Sequence, residues 1–245
     1  MPFTFFFKKK QQNLFSGLVD FHNHILHGID DGSKSVKQSL SMLDLYSNMG
    51  IQKIIASPHI FKDLYPNTPE SIKKSFETLA RESNAKKTQI IGYGAEYMID
   101  EFFIDSLNKG NSLLCCFKNN ILIEIPFFAE LNFLKQALFE LQKQSYIPVL
   151  AHPERYVSLS GETELKDLKF RGTKLQLNAL SLTGYYGKDV KKKANEWLKK
   201  GFYDFIGTDA HNEHHLSELQ KLRLGKKELT EWNNIKISQQ KIIGL

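Results

Sequence analysis

Residues 17–32 read GLVDFHNHILHGIDDG. A short apolar run leads into His22 and His24, which are separated by one residue. In extended backbone, residues two apart point to the same side, so the two imidazoles face one way. The thirteen positions from Asp20 to Gly32 hold three histidines and three aspartates. Alone, this segment is either a metal-holding strand end or a polar turn closing a buried strand. The rest of the chain has to decide.

The same grammar repeats: a β-branched or apolar run, a polar punctuation mark, then a stretch with helical periodicity. After GLVDFH (17–22) come IQKIIAS (51–57), TQIIGYG (88–94), ILIEI (121–125), IPVLAH (147–152), TKLQLN (173–178) and YDFIGT (203–208). Helices are expected around 35–49, 69–84, 130–145 and 187–200, with Gly50 and Gly201 as stops. Strands alternating with helices imply parallel pairing, because parallel strands need a crossover connection. About seven repeats favour a barrel, although periodicity does not separate a barrel from an open sheet. No GxGxxG or GxxxxGK[ST] loop follows any run, so nucleotide binding of those kinds has no support. Segments 60–68 and 180–188 read as exposed loops.

Potential ligands fall at the same end of these runs. His22 and His24 end the first, His59 follows the second, Glu96 follows the third and Glu124 lies in the fourth; His152 ends the fifth, and Asp209 with His211 follow the last. In parallel barrels the carboxyl ends of all strands gather on one face, where sites are built. A lone histidine at a strand end is more often structural than a ligand, and Glu124 could pair with a buried arginine. For the set, that reading would need six of the seven runs to place an imidazole or carboxylate at one end by chance. His27, His214 and His215 lack the placement and are read as surface or supporting residues.

Composition sets the bounds. The 245 residues, 41% hydrophobic and 24% charged, suit one folded domain, expected over 17–245, preceded by a flexible tail over 1–16. The net charge of +6 is scattered in short clusters and predicts no nucleic-acid partner. No run approaches the ~20 residues of a membrane helix. MPFTFFFKKK is too short for a signal segment; a weaker reading is attachment to an anionic membrane. Cys115 and Cys116 are adjacent, which excludes a disulfide framework and points to a reducing, cytoplasmic setting. A cysteine-dependent phosphatase loop (CxxxxxR) fails as well, because Ile121 and Leu122 stand where the arginine belongs.

Neutral imidazoles with carboxylates form a set compatible with Mn²⁺, Fe²⁺, Co²⁺ or Zn²⁺, and the lack of a cysteine ligand argues against a closed structural zinc site. Four histidines and several carboxylates exceed what one ion takes, so two or three ions are expected, with Glu96 as a bridge. Clustered metals acidify water, orient a phosphate and stabilise the attacking and leaving oxygens of an in-line displacement. Arg155 in AHPERY is placed to clamp phosphate oxygens, with a salt bridge to Glu154 as the competing reading. Asp20 is expected to hold an imidazole tautomer from behind.

DFHNH with the following DDG, SPH at 57–59, YGAE at 93–96, LIEI at 122–125, AHPERY at 151–156 and GTDAH at 207–211 resemble the motifs of the PHP (polymerase and histidinol phosphatase) superfamily. Within it, the chain is most similar to the bacterial manganese-dependent protein tyrosine phosphatases of the CpsB/YwqE type, which act beside capsule and exopolysaccharide tyrosine kinases. The resemblance runs from Leu18 to His211. It implies a distorted (β/α)7 barrel with three divalent ions, Mn²⁺ by preference, at the carboxyl ends of the strands. One ion would take His22, His24, Glu96 and Asp209; a second would share Glu96 and add Glu124 and His152; a third would take Asp31, His59 and His211. Arg155, Asp209 and His59 would carry catalysis, and the substrate would be a phosphotyrosine protein, a membrane-bound bacterial tyrosine kinase with a tyrosine-rich tail. Two departures stand out, residues 1–16 ahead of the first run and the apolar Ile60 and Phe61 after His59. The alternatives are a small-molecule phosphatase of the histidinol-phosphate type, a nuclease-like enzyme of the same fold, and an inactive scaffold with structural metals.

Overall fold

In the computed structural model of this chain, residues 13–126 and 131–244 are described. All seven apolar runs become strands, and two of them are followed, after a two-residue break, by a further short strand that the runs did not include. In chain order the strands are β1 (Val19–Asp20), β2 (Lys53–Ala56), β3 (His59–Ile60), β4 (Gln89–Tyr93), β5 (Glu96–Met98), β6 (Asn120–Glu124), β7 (Ile147–Ala151), β8 (Lys174–Asn178) and β9 (Phe205–Gly207). The second run is thus β2, with β3 following across Ser57 and Pro58, and the third is β4, with β5 following across Gly94 and Ala95. β1, β2 and β4 form one sheet, and β3, β5, β6, β7, β8 and β9 form a second, in that order. Every adjacent pair is parallel. The α/β class with parallel sheets is therefore what the pairing establishes, and neither sheet closes on itself among the described residues.

The breaks have local causes. Gly94 N donates to Ala56 O (2.8 Å) and Glu96 N to Pro58 O (3.0 Å), so the chain keeps its ladder while bending. A Cβ on Gly94 would stand 2.6 Å from the Cα of Cys116, so only glycine permits the close approach there. The two sheets meet where β1 nears β9. Asn23 bridges Ala210, with His24 N donating to Ala210 O (3.0 Å) and Asp209 N to His22 O (2.7 Å).

The helices are α1 (Val36–Asn48), α2 (Pro69–Glu82), α3 (Glu101–Asn108), α4 (Leu131–Lys143), α5 (Glu162–Phe170), α6 (Lys188–Lys199), α7 (Glu213–Gln220) and α8 (Lys226–Ile243). The four expected from periodicity are α1, α2, α4 and α6. Ser35, Thr68, Asp100 and Asn212 cap α1, α2, α3 and α7 by accepting first-turn N–H bonds. Gly50 (φ +82°) and Gly201 (φ +70°) supply the left-handed residue just beyond α1 and α6. The expected exposed loop at 180–188 is corrected in its first half: Ala179–Thr183 is a 3-10 turn with Ala179 to Leu182 buried, because Asn178 Oδ1 accepts from Leu180 N (2.8 Å) and folds the chain inward.

α8 closes the molecule at the end opposite the site. Its buried Gln239 accepts from Ile206 N (2.8 Å) and donates to Val19 O (2.7 Å) and Ile206 O (2.9 Å), so one amide satisfies backbone groups of both β1 and β9. Trp232 is fully buried, packs edge-on against Phe15 (centroids 5.4 Å) and donates from Nε1 to Leu14 O (2.8 Å). Leu14 and Phe15, read from sequence as part of a tail, thus belong to the core. The remainder of that segment, with its phenylalanine and lysine run, lies outside the described residues.

Candidate metal centre

The strand ends converge as their placement implied. The break after β2 turns His59 toward the end of β1, and the break after β4 brings Glu96 beside it; β6 contributes Glu124 and β7 leads directly to His152. Asp209 and His152 both sit in left-handed backbone (φ +51° and +37°), a costly conformation for non-glycine residues that is retained where neighbouring structure holds it.

Glu96 is the hub. Its Oε2 lies 3.1 Å from His22 Nε2, 3.3 Å from His24 Nε2 and 3.3 Å from His59 Nδ1, and its Oε1 is 3.2 Å from His152 Nε2. Asp209 Oδ1 lies 3.3 Å from both His22 Nε2 and His24 Nε2. Glu124 Oε1 is 3.1 Å from His59 Nδ1 and Glu124 Oε2 is 3.9 Å from His152 Nε2. Asp31 Oδ1 faces His59 Nε2 (3.6 Å) and His211 Nε2 (3.5 Å). Three groups of donor atoms result: His22, His24, Glu96 and Asp209; His24, Asp31, His59 and His211; and His59, Glu96 and Glu124.

Do these residues fit metal ions? His22 Nε2, His24 Nε2, His59 Nδ1 and Glu96 Oε2 are all buried and none has a hydrogen-bond partner. Buried polar atoms are almost always satisfied, so four orphans aimed at one another mark a missing partner. Ligand atoms about 2.1 Å from a shared ion stand about 3.0 Å apart at right angles and about 3.4 Å apart at the tetrahedral angle. The observed 3.1–3.3 Å contacts fall within that range. The donor set, all nitrogen and oxygen, suits borderline divalent ions.

The electrostatics agree. Burial would drive His22 toward neutrality, yet Glu96 and Asp209 outweigh it and hold its pKa well above the ordinary value; for His24, Asp30 leads the same reversal. Against the cost of burial, His22 holds Glu96 and Asp209 well below the usual carboxylate range. A pocket of buried carboxylates that demands this much positive charge is one a cation would occupy in place of protons.

Around the donors lies a layer of side chains that the sequence reading placed differently or passed over. His22 Nδ1 pairs with Gln176 Oε1 (2.9 Å), while Asp20 binds Thr208 Oγ1 (2.6 Å), Thr208 N (3.0 Å) and Tyr46 OH (3.0 Å) and does not reach the ring. The expectation for Asp20 is corrected: its carboxylate sits deeper, where it ties β1 to the turn after β9. His24 Nδ1 pairs with Asp30 Oδ2 (2.9 Å), which also accepts from His59 N (3.1 Å). Asn178 Nδ2 donates to Asp209 Oδ2 (2.8 Å). Polar Gln176 within the apolar TKLQLN run, and Asn178 at its end, were the available signal. That run was the one without an imidazole or carboxylate, and it serves the site through amides instead.

Arg155 Nη1 donates to Asp209 Oδ2 (3.1 Å), and its guanidinium carbon lies 4.4 Å from the ring centre of Tyr186. Glu154, the competing partner, turns into the core, where its carboxylate accepts from Asn178 N (3.1 Å) and Tyr203 OH (3.1 Å). His215, unlike His27 and His214, reaches the centre: its Nδ1 accepts from His211 N (3.3 Å), and its Nε2 pairs with Tyr185 OH (3.2 Å). These groups open into a cleft of about 730 Å³. Asp31, His59, Glu96, Glu124, His152, Arg155, Asp209 and His211 lie in it, and Phe61, Leu64, Tyr65, Met98, Pro126 and Tyr186 line it as well. Loop 60–68, read as exposed, thus forms one wall of the cleft.

The model of the family described as capsular polysaccharide synthesis, CpsB/CapC, matches residues 18–224. This chain belongs to the CpsB/CapC family. It is 32% identical over 205 residues to CapC of Staphylococcus aureus, covering 80% of this chain and 77% of that protein. It is 30% identical over 197 residues to the tyrosine-protein phosphatase YwqE of Bacillus subtilis, covering 80% and 78%. Among solved structures, it is similar to those of YwqE from Bacillus subtilis and CpsB from Streptococcus pneumoniae, described as unique metal-dependent tyrosine phosphatases: the TM-score is 0.76 at 28% identity, over 91% of this chain and 94% of that one.

Proposed function

We propose that this CpsB/CapC-family chain is a metal-dependent protein-tyrosine phosphatase. The observation that carries the reading is the cluster of buried, unpartnered imidazole and carboxylate atoms at the floor of a cleft that also holds Arg155. His22, His24, Glu96 and Asp209 would hold one ion, Glu96, Glu124 and His152 a second, and Asp31, His59 and His211 a third. The donor groups differ from these sets in three respects: His24 also falls with Asp31, His59 and His211, His59 also falls with Glu96 and Glu124, and His152 belongs to none of the three groups although its Nε2 lies 3.2 Å from Glu96 Oε1. Manganese suits an all nitrogen and oxygen set with several carboxylates.

Bound divalent ions supply Lewis acidity, which acidifies water and neutralises phosphoryl charge. The protein does the rest. Arg155, fixed by Asp209 and by the face of Tyr186, would hold its guanidinium charge in the cleft for the phosphoryl oxygens. Gln176 and Asp30 hold the His22 and His24 rings so that each Nε2 faces the floor. Water adds to phosphorus, the ester P–O bond breaks, and the tyrosine oxygen leaves with the bonding pair. A phenol with a pKa of about 10 is a better leaving group than an alcohol, which suits a site whose main positive charge comes from one guanidinium and its metals. The substrate we infer is a phosphotyrosine protein, a membrane-bound tyrosine kinase of capsule or exopolysaccharide production, met in the cytoplasm. Free Cys115 and Cys116 suit that compartment. No described helix is long and apolar enough to cross a membrane. The two sheets, joined by the Asn23 bridge to Ala210 and by Gln239, we read as one interrupted (β/α)7 barrel within a single domain that takes in Leu14 and Phe15 ahead of the expected start at residue 17.

The test joins metal analysis to substrate choice. Purified protein loaded with Mn²⁺ should release phosphate from a tyrosine-phosphorylated kinase tail far faster than from histidinol phosphate. Equal or reversed preference would move the assignment to a small-molecule phosphatase, and no turnover of either would support the scaffold reading.

A further inference from the structure

Beside the cleft, and sharing Met98 with it, lies a second cavity of about 190 Å³. Ile60, Lys62, Met98, Phe102, Phe103 and Leu113 supply most of its character. We propose that this cavity is a subsite for an apolar side chain of the phosphotyrosine substrate, one or two residues from the phosphorylated one. The proposal rests on the phosphatase reading above and adds a specificity-determining site to it.

Three observations carry it. First, apart from the Lys62 ammonium at its edge over Phe102, polar side chains around the cavity have partners within the protein. Asp100 caps α3 by accepting from Phe103 N (2.7 Å), and Tyr97 OH accepts from Leu114 N (2.8 Å). Asn67 Nδ2 donates to Ile29 O (2.8 Å) and His59 O (2.9 Å), and Ser106 Oγ accepts from Asn111 Nδ2 (3.1 Å). A cavity with its polar lining satisfied internally selects an apolar occupant. Second, the cavity adjoins the catalytic cleft, the two sharing Met98 as a lining residue. Met98 is in register with Glu124 on the neighbouring strand, and adjacent strands are about 4.8 Å apart. Extended peptide advances about 3.3–3.6 Å per residue, so a neighbour of the phosphotyrosine reaches the cavity while the phosphate sits over the floor. Third, Phe102 remains 44% exposed at the cavity, with the Lys62 ammonium 3.6 Å from its ring centre. An aromatic left in water beside an active cleft is a surface that substrate can cover, and Lys62 stands where a peptide carbonyl or carboxylate would pass.

The experiment compares phosphotyrosine peptides that differ only in leucine or serine at one or two positions on either side of the phosphotyrosine. The full-length Mn²⁺-loaded protein is used, and each kcat/KM is divided by that on free phosphotyrosine so that a general loss of active protein cancels. At one position at least, leucine should be favoured over serine by about tenfold, the scale of partial burial of one leucine side chain. Ser106→Trp, which fills the cavity, and Phe102→Ser, which removes a wall, should both bring that ratio toward one, with the change in KM. A wild-type ratio near one at every position, or a preference that survives in both variants, overturns the subsite. Failure of the wild type to hydrolyse free phosphotyrosine would instead overturn the phosphatase reading beneath it.

Discussion

Gln176 decides how His22 presents itself. Its Oε1 accepts from His22 Nδ1 (2.9 Å), which leaves Nε2 with its lone pair on the donor cluster. Gln176→Ala would free the ring and its tautomer, so metal affinity should fall about 10- to 100-fold, the usual effect of losing a partner behind a ligand. Competition with a metal-sensitive dye measures it, and wild-type affinity would show that the ring is held by other means. Gly207 is a second control point. A Cβ there would stand 2.6 Å from His22 Cβ and 2.7 Å from Gln176 Nε2. Gly207→Ala should therefore displace both, costing about 1–3 kcal/mol of stability and weakening metal binding together, read by thermal melts with and without Mn²⁺.

At the level of elements, most of the site was legible before any coordinate. Apolar runs mark strands, and although one imidazole or carboxylate at a strand end has ordinary structural uses, six of seven runs carrying one at the same end have a single explanation. What the runs could not reveal is that two of them would be followed by a second short strand, because Pro58 and Gly94 act through contacts with distant segments rather than through local pattern. α3, α5, α7 and α8 were missed for related reasons: the first three are 8 or 9 residues long, too few turns to show a face, and α8 carries its key Gln239 on the buried side, where a polar residue conceals the period. Leu14 and Phe15 escaped notice because their partner, Trp232, lies more than 200 positions away. Trp232→Ala should cost about 3–5 kcal/mol through the cavity it leaves, yet keep the donor cluster, whose residues lie beyond the Val19 and Ile206 positions that α8 holds on β1 and β9. A lowered melting temperature with near-native metal affinity in the folded fraction is the expected pair of results.

For the whole molecule, charge balance across the floor sets the response to pH. In metal-stripped protein, His22 and His24 have folded pKa values raised above 6.5, so the stability they contribute is complete below that ordinary value and is lost as pH rises through the raised ones. Glu96 and Asp209 are lowered from 4.5 and 3.8, so theirs is present above those values and lost as pH falls through the lowered ones. The stripped protein should thus melt lower at about pH 9 than at about pH 6, and Mn²⁺ should abolish the alkaline decline by supplying charge that does not depend on protons. Melts of stripped and loaded protein across that interval decide it; a flat profile in the stripped form would count against imidazolium–carboxylate pairing.

The order of ligands along the chain also has a consequence for how the enzyme is made. His22 and His24 leave the ribosome early, whereas Asp209 and His211 come near the end of 245 residues, and the Asn23 bridge to Ala210 cannot form before them. Until then the early imidazoles have only part of a cage. Assembly of the centre therefore waits for the segment from Asp209 to His211, and a chain cut short anywhere before His211 would be left without a finished donor set.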